Sequence, residues 1–289
     1  MRALVIGGTG FIGKFVSRLL AAHGHDVSVF HRARHDLSTI LPGATSIIST
    51  GPLSSSAALQ TALAANPDIV VHMLAMRESE AEAAVQTFRG RIGRLAFASS
   101  GDVYRAYGRF TKFEPGPPDP VPLDPARSPL RSLLYPYRKS STPRDALEYD
   151  YEKILVERVL LGDPLLPGVC LRLPKVYGRD NNADFATVHR FAHHPDWRWT
   201  HGYVENVAAA IVLAATHRDG GGRIYNVGEA HTPTVGERLR DLPASGMPAL
   251  EGDAYDFGQD IVYDTTPIRN ELGYGEPVSY EDAIRRTVG

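Results

Sequence analysis

Short apolar runs alternate, along most of the chain, with segments whose apolar residues recur at helical spacing. Residues 3–6, 26–30, 44–48, 68–73, 94–99 and 169–173 read as buried strands. Behind the first run, Phe11, Phe15, Val16, Leu19 and Leu20 fall on one helical face. Further helices are expected near 55–65, 81–88 and 145–161, the last with Leu147, Ile154, Leu155, Val159 and Leu160 as its apolar side. A strongly apolar helix over 204–216 leads to a strand at 223–227, and a short helix near 280–287 closes the chain. Strands alternating with helices imply βαβ units, right-handed crossovers and a doubly wound parallel sheet of the α/β class.

The turn between the first strand and the first helix carries Gly7, Gly10 and Gly13, three residues apart. A tight strand-to-helix turn favours glycine at 7, where positive φ costs nothing. Gly10 leaves room for a diphosphate, and Gly13 lets the helix pack close to the strand. The helix N-terminus then offers N–H groups and partial positive charge to phosphate. This is a dinucleotide-binding fingerprint in the required strand–turn–helix setting, so the sheet is expected to be of Rossmann type. The residue after the second strand is where a carboxylate would bind the adenosine ribose. His31, Arg32 and Arg34 stand there instead, and guanidinium groups suit a 2′-phosphate. NADP is expected, with NAD as the alternative. Sites in such sheets lie at the carboxyl ends of the strands, which puts residues 7–13, Arg32, Leu74, Ala75, Ser99 and Ser100 on one rim.

Composition narrows the partners. A formal net charge of −2 gives no electrostatic case for nucleic acid or an anionic membrane. No apolar run approaches about 18 residues, and the single Cys170 fits a reducing compartment, so a cytoplasmic, soluble protein is expected. Cys170 itself reads as a small buried hydrophobe. His193 and His194 have no companions at zinc spacing, so no metal is expected. The texture changes over 107–143, where nine prolines fall between Pro115 and Pro143. Such a run suits neither helix nor central strand. It reads either as a lid over the neighbouring site or as a surface excursion packed by its own aromatics. Residues 1–177, with this insert, are assigned to the dinucleotide-binding domain. Residues 178–289 form a small substrate-binding region, with 204–228 returning to the first domain.

Tyr149 and Lys153 are four apart within the helix expected over 145–161, so both would project from one face. An ammonium beside a phenol favours phenolate and tunes it as a general acid/base. Tyr135 and Lys139 share the spacing, but Pro136 and Pro143 argue against a helix there.

Gly-Gly-Thr-Gly-Phe-Ile-Gly at 7–13, His-Met-Leu-Ala at 72–75 and Ser-Ser-Gly-Asp-Val-Tyr at 99–104 resemble motifs of the extended short-chain dehydrogenase/reductase family. So do Leu-Arg-Leu-Pro-Lys-Val-Tyr-Gly at 171–178, Tyr-Val-Glu-Asn-Val at 203–207, Tyr-Asn-Val-Gly at 225–228 and Glu-Leu-Gly-Tyr at 271–274. That family includes NAD(P)-dependent sugar-nucleotide epimerases and dehydratases. The resemblance implies that Ser100 hydrogen-bonds the reacting oxygen, Tyr149 transfers its proton, and Lys153 tunes Tyr149 and holds the nicotinamide ribose. It implies cofactor contacts from Gly7, Thr9, Gly10, Phe11, Ile12, Gly13, Leu74, Ala75, Ser99, Tyr149, Lys153 and Pro174. A homodimer pairing the helices near 81–88 and 145–161 is also implied.

Three departures limit the match. Gly101 and Asp102 stand where family dehydratases carry an Asp-Glu pair, which speaks against dehydration. The acidic residue usual near the adenine is absent from 49–52. The stretch from Gly178 to Val204 is short, leaving fewer walls for a nucleotide-sugar. The expected function is an NAD(P)-dependent reductase or epimerase acting at an alcohol/carbonyl carbon of a small molecule. The alternative is a non-catalytic cofactor-sensing or RNA-associated protein on the same fold.

Overall fold

The computed structural model describes residues 1–32 and 36–289. Its main sheet contains β1 (Arg2–Ile6), β2 (Asp26–His31), β3 (Thr45–Ile48), β4 (Ile69–His72), β5 (Arg94–Ser100), β6 (Gly168–Leu173) and β9 (Arg223–Asn226). The strand order is β3-β2-β1-β4-β5-β6-β9, and the pairs β2/β3, β1/β2, β1/β4 and β4/β5 are parallel. The order reverses between β1 and β4, as in a doubly wound Rossmann sheet. The expected fold class is the one observed. A separate ribbon pairs β7 (Lys175–Tyr177) with β8 (His201–Tyr203) in parallel.

The helices are α1 (Gly13–Ala22), α2 (Leu37–Ile40), α3 (Ser56–Gln60), α4 (Glu78–Phe88), α5 (Arg105–Phe110), α6 (Leu147–Asp150) and α7 (Lys153–Gly162). They continue with α8 (Ala186–Arg190), α9 (Val204–Thr216), α10 (Val235–Asp241), α11 (Thr266–Leu272) and α12 (Tyr280–Val288). Helix α9 spans the residues its apolar pattern predicts. The sheet buries Leu4, Ile6, Val70, Leu95 and Phe97 against Phe88 of α4 and Val156 and Leu160 of α7. Burial at this scale, about 25 cal/mol per Å² of apolar surface, is what holds the layers together.

Contacts divide the chain into two compact units. The first comprises Met1–Ser100, Leu134–Arg172 and Ala208–Tyr225; the second comprises Gly101–Leu133, Leu173–Val207 and Asn226–Gly289. The first holds the helices α1, α4 and α7 with most of the main sheet. The second is built around Phe110, whose ring stacks on Trp197 and on Tyr255, both at 4.7 Å between centroids. Phe191 and Phe257 meet it edge-on. Offset and edge-to-face aromatic packing of this kind adds to plain burial.

The proline-rich stretch is held by specific polar ties. In the second unit, Arg105 pairs with Asp119, Gln259 accepts from the Asp119 amide at 2.5 Å, and Leu123 bridges to Tyr263. In the first unit, the Tyr135 amide donates to Glu152 at 2.8 Å. These partners are 14 to 140 residues apart in sequence, which local pattern does not register.

The expected single helix over 145–161 is not observed. Tyr151 and Glu152 adopt extended backbone, separating α6 from α7. Glu152, fully buried, caps α7 by accepting from the Ile154 amide, and its own amide donates to the Met76 carbonyl. A side-chain acceptor at that position satisfies an orphan N–H and starts a helix afresh. Leu147, assigned to the apolar side, is 43% exposed, and Val156 and Glu157 face inward instead.

Candidate active site

The turn after β1 has the geometry its glycines foretell. Gly7 has φ of +85°, and its amide donates to the Phe30 carbonyl at 3.0 Å. A Cβ at Gly13 would fall 2.1 Å from the Gly7 carbonyl oxygen, so only glycine lets α1 start against the strand. Helix α1 begins with no side-chain cap and no acidic residue in its first turn. The Lys14, Phe15 and Val16 amides already donate to the Gly10 and Ile12 carbonyls, so what an external anion meets is the positive end of the helix dipole with no carboxylate competing for it. Thr9, Gly10, Phe11 and Ile12 form the partly open face of this turn. The residues present fit a dinucleotide phosphate.

At the carboxyl end of β2, His31 is buried and its Nε2 meets the Ser46 hydroxyl at 2.8 Å. Arg32 follows it and is exposed. Arg34 lies outside the described residues.

Lys153 ties the rim together. Only 3% exposed, its Nζ donates to the Ala75 carbonyl at 2.6 Å and to the Ala98 carbonyl at 2.8 Å. Those carbonyls belong to the segments leaving β4 and approaching the end of β5. Ala75 is thus held by this ammonium, and Leu74 and Ser99 are the chain neighbours of the two carbonyls it binds. His72, the last residue of β4, accepts the Leu74 amide on Nδ1 at 3.2 Å. Burial, reinforced by the nearby Lys153 charge, pushes its pKa down to about 3, so it is a neutral spacer.

Tyr149 is placed differently from the expectation. It sits on α6, not on the helix of Lys153. The Arg138 guanidinium lies over its ring at 4.2 Å and over the Tyr135 ring at 4.0 Å, and Arg138 Nε donates to the Tyr149 carbonyl. Arg77 closes the turn through Asp150 and the Ala146 carbonyl. The phenol is half-buried and placed by tertiary contacts rather than by helical spacing.

Sequence reasoning missed a buried network one turn along α7. Glu157 accepts from Ser99 Oγ at 2.5 Å and from Arg172 at 3.0 and 2.7 Å. All three side chains are nearly or fully buried. A single carboxylate therefore joins β5, α7 and β6 directly behind Ser100 and Lys153. The usable signal was charge: Arg172 is the one ionic residue of β6, and Glu157 lies on the same side of α7 as the apolar Ile154 and Leu160. Cys170 is buried beside them, and burial, with Glu157 adding to it, raises its thiol pKa well above the usual value. It is inert, as its setting in the sequence implies.

In the second unit, Pro174 is buried close to the backbone of Gly202. The Tyr263 hydroxyl lies 1.4 Å from where a Cβ on Gly101 would stand, so the position that lacks a carboxylate in the sequence has no room for one. A crevice among Phe191, Trp197, Trp199, His201 and Arg238 holds only about 10 Å³, space for roughly one water. Among the described residues there is no cluster of metal-ligating side chains, and no helix is long and apolar enough to cross a membrane.

Residues 3–90 match the NAD dependent epimerase/dehydratase family. The chain is similar to a 3-diazoavenalumate denitrifying reductase of Streptomyces sp, 34% identical over 132 residues, covering 43% of this chain and 42% of that protein. A shorter match, 45% identical over 42 residues, is to the chloroplast stem-loop binding protein of 41 kDa b of Arabidopsis thaliana, covering 14% and 11%. The matched stretches thus span less than half the length of either relative. The Bordetella bronchiseptica enzyme WbmG, solved in complex with NAD, superposes with a TM-score of 0.71 at 20% identity over 100% of this chain and 93% of that one.

Proposed function

We propose that this member of the NAD dependent epimerase/dehydratase family, of extended short-chain dehydrogenase/reductase type, is an NAD(P)-dependent oxidoreductase or epimerase working at an alcohol/carbonyl carbon. The observation that carries the reading is the uncapped, acid-free N-terminus of α1 behind Gly7, on the same sheet rim as Lys153. The dinucleotide, held by residues 7–13, Leu74, Ala75, Ser99 and Pro174, supplies hydride chemistry. Lys153 presents a fixed ammonium to the ribose, and Ser100 donates to the reacting oxygen. Tyr149 moves the proton. Its ring is held under Arg138 and its segment by the turn ending at Glu152, since no common helix sets it against Lys153. Asp102 alone, next to Gly101, makes dehydration the least supported branch.

The exposed Arg32 and the absence of a carboxylate directly after β2 favour NADP over NAD. We further infer a cytoplasmic homodimer formed through α4 and α7, which pack side by side and leave a groove between Glu82, Val85, Arg158 and Val159. A second reading, a cofactor-sensing or RNA-associated protein, is favoured by the separation of Tyr149 from α7 and by the short match to a stem-loop binding protein. The net charge of −2 weighs against it.

One experiment tests both readings. Tyr149→Phe is expected to lose turnover by roughly 100-fold or more while NADPH still binds, and binds more tightly than NADH. Unchanged turnover would refute the proton-carrier role. RNA retention at physiological salt by a parent chain without turnover would favour the second reading.

A further inference from the structure

The chain has five lysines, and two of them, Lys153 and Lys175, lie one in each unit. Their ammonium groups meet different surroundings. Lys153 spends its donors on two carbonyls. Lys175 opens β7, is only partly exposed, and its Nζ makes no hydrogen bond among the described residues. It stands 5.8 Å from the centroid of the Trp199 ring, within cation–π range. Burial holds its pKa below the ordinary lysine value, with Asp184 opposing. A half-buried ammonium whose donors meet no protein acceptor is open to an external one.

The neighbourhood is built rather than accidental. In the β7/β8 register Lys175 stands opposite His201. That imidazole is buried and held neutral by burial, and its Nδ1–H donates to the Trp199 carbonyl at 2.7 Å. Ring contact between His201 and Trp199 adds a second restraint on the indole. Of the unit's arginines, Arg105, Arg198, Arg238 and Arg269 are each engaged with a carboxylate. A nucleotide diphosphate, with several charges, calls for several cations. Lys175 offers one charge beside one flat aromatic face.

We propose that Lys175 and Trp199 form a substrate subsite that takes the carboxylate of a small, planar, conjugated acid. Trp199 covers the flat body and Lys175 meets the anionic end. The proposal rests on the oxidoreductase reading for its biological sense, but its test is equilibrium binding and needs no turnover. It also accounts for the short stretch between Gly178 and Val204, which leaves little wall for a nucleotide-sugar.

The test is calorimetric titration of the full chain with cinnamate, cinnamamide, inorganic phosphate and UDP-glucose, with NADPH binding measured alongside. The expected result is cinnamate binding at least roughly tenfold tighter than the isosteric amide. Lys175→Met should erase that preference, Lys175→Arg should keep it within about threefold, and Trp199→Leu should weaken acid and amide alike. The preference should also fade as pH rises through the Lys175 pKa. Equal affinity for acid and amide, absence of cinnamate binding, survival of the preference in Lys175→Met, or tighter binding of phosphate or UDP-glucose would each overturn the subsite. A parent chain that binds cinnamate as expected but not NADPH would instead overturn the oxidoreductase reading and leave the subsite standing.

Discussion

The turn after β1 and the approach to α7 carry the two halves of the proposed chemistry, and they are fixed in opposite ways. The first is settled by its own backbone. Gly7 takes a φ of +85° and Gly13 admits the Gly7 carbonyl, so the seven residues 7–13 suffice to shape an anion site. The second is settled from a distance. Tyr149 depends on Arg138 and Arg77, and Lys153 on a cap at Glu152 and on carbonyls 55 and 78 residues away. A phosphate cradle can be written in one short motif, whereas a catalytic pair assembled across loops cannot.

The sharpest way to break this contrast is Gly13→Ala. The new Cβ would press on backbone, which has no rotamer to yield, so about 3 kcal/mol of stability should go. NADPH affinity should fall by roughly 100-fold or more, read by fluorescence titration. Binding within threefold of the parent would show that the turn is not what holds the phosphate. Next in size is Glu152→Ala, which removes the α7 cap and leaves the half-buried Tyr135 amide without its acceptor. Urea unfolding should report a loss of about 2 kcal/mol. An unshifted unfolding midpoint would mean that the break between α6 and α7 has another cause. The smallest effect belongs to Arg138→Ala, because the guanidinium is exposed. Roughly 0.5–1 kcal/mol should be lost, while turnover falls more than stability if the stack places the Tyr149 hydroxyl.

The same contrast explains what the sequence discloses. The strands were legible because buried parallel strands are continuous apolar runs, and α9 because it is apolar throughout. The glycine turn was legible because sterics alone choose its residues. The break after Tyr149 was not, since Glu is an unusual capping residue and its second partner, the Tyr135 amide, comes from the proline-rich stretch. Periodicity even misled there, enlisting Leu147, which is exposed, and giving no place to Glu157, which is buried. The Glu157–Arg172–Ser99 network needed the sheet to be assembled before its members could meet. Breaking such a pair by removing one partner typically costs about 3–5 kcal/mol, so an ionic residue in an apolar run merits reading as a structural joint.

The division of the chain into two interleaved units bears on its biosynthesis. Neither is a continuous piece of sequence: the backbone passes from one to the other five times, at 100/101, 133/134, 172/173, 207/208 and 225/226. The nucleotide-binding half therefore lacks its last helix and its edge strand until some 225 residues have left the ribosome. A nascent chain must carry that open sheet edge unfinished for most of translation, and no truncation at a single boundary would liberate either half intact.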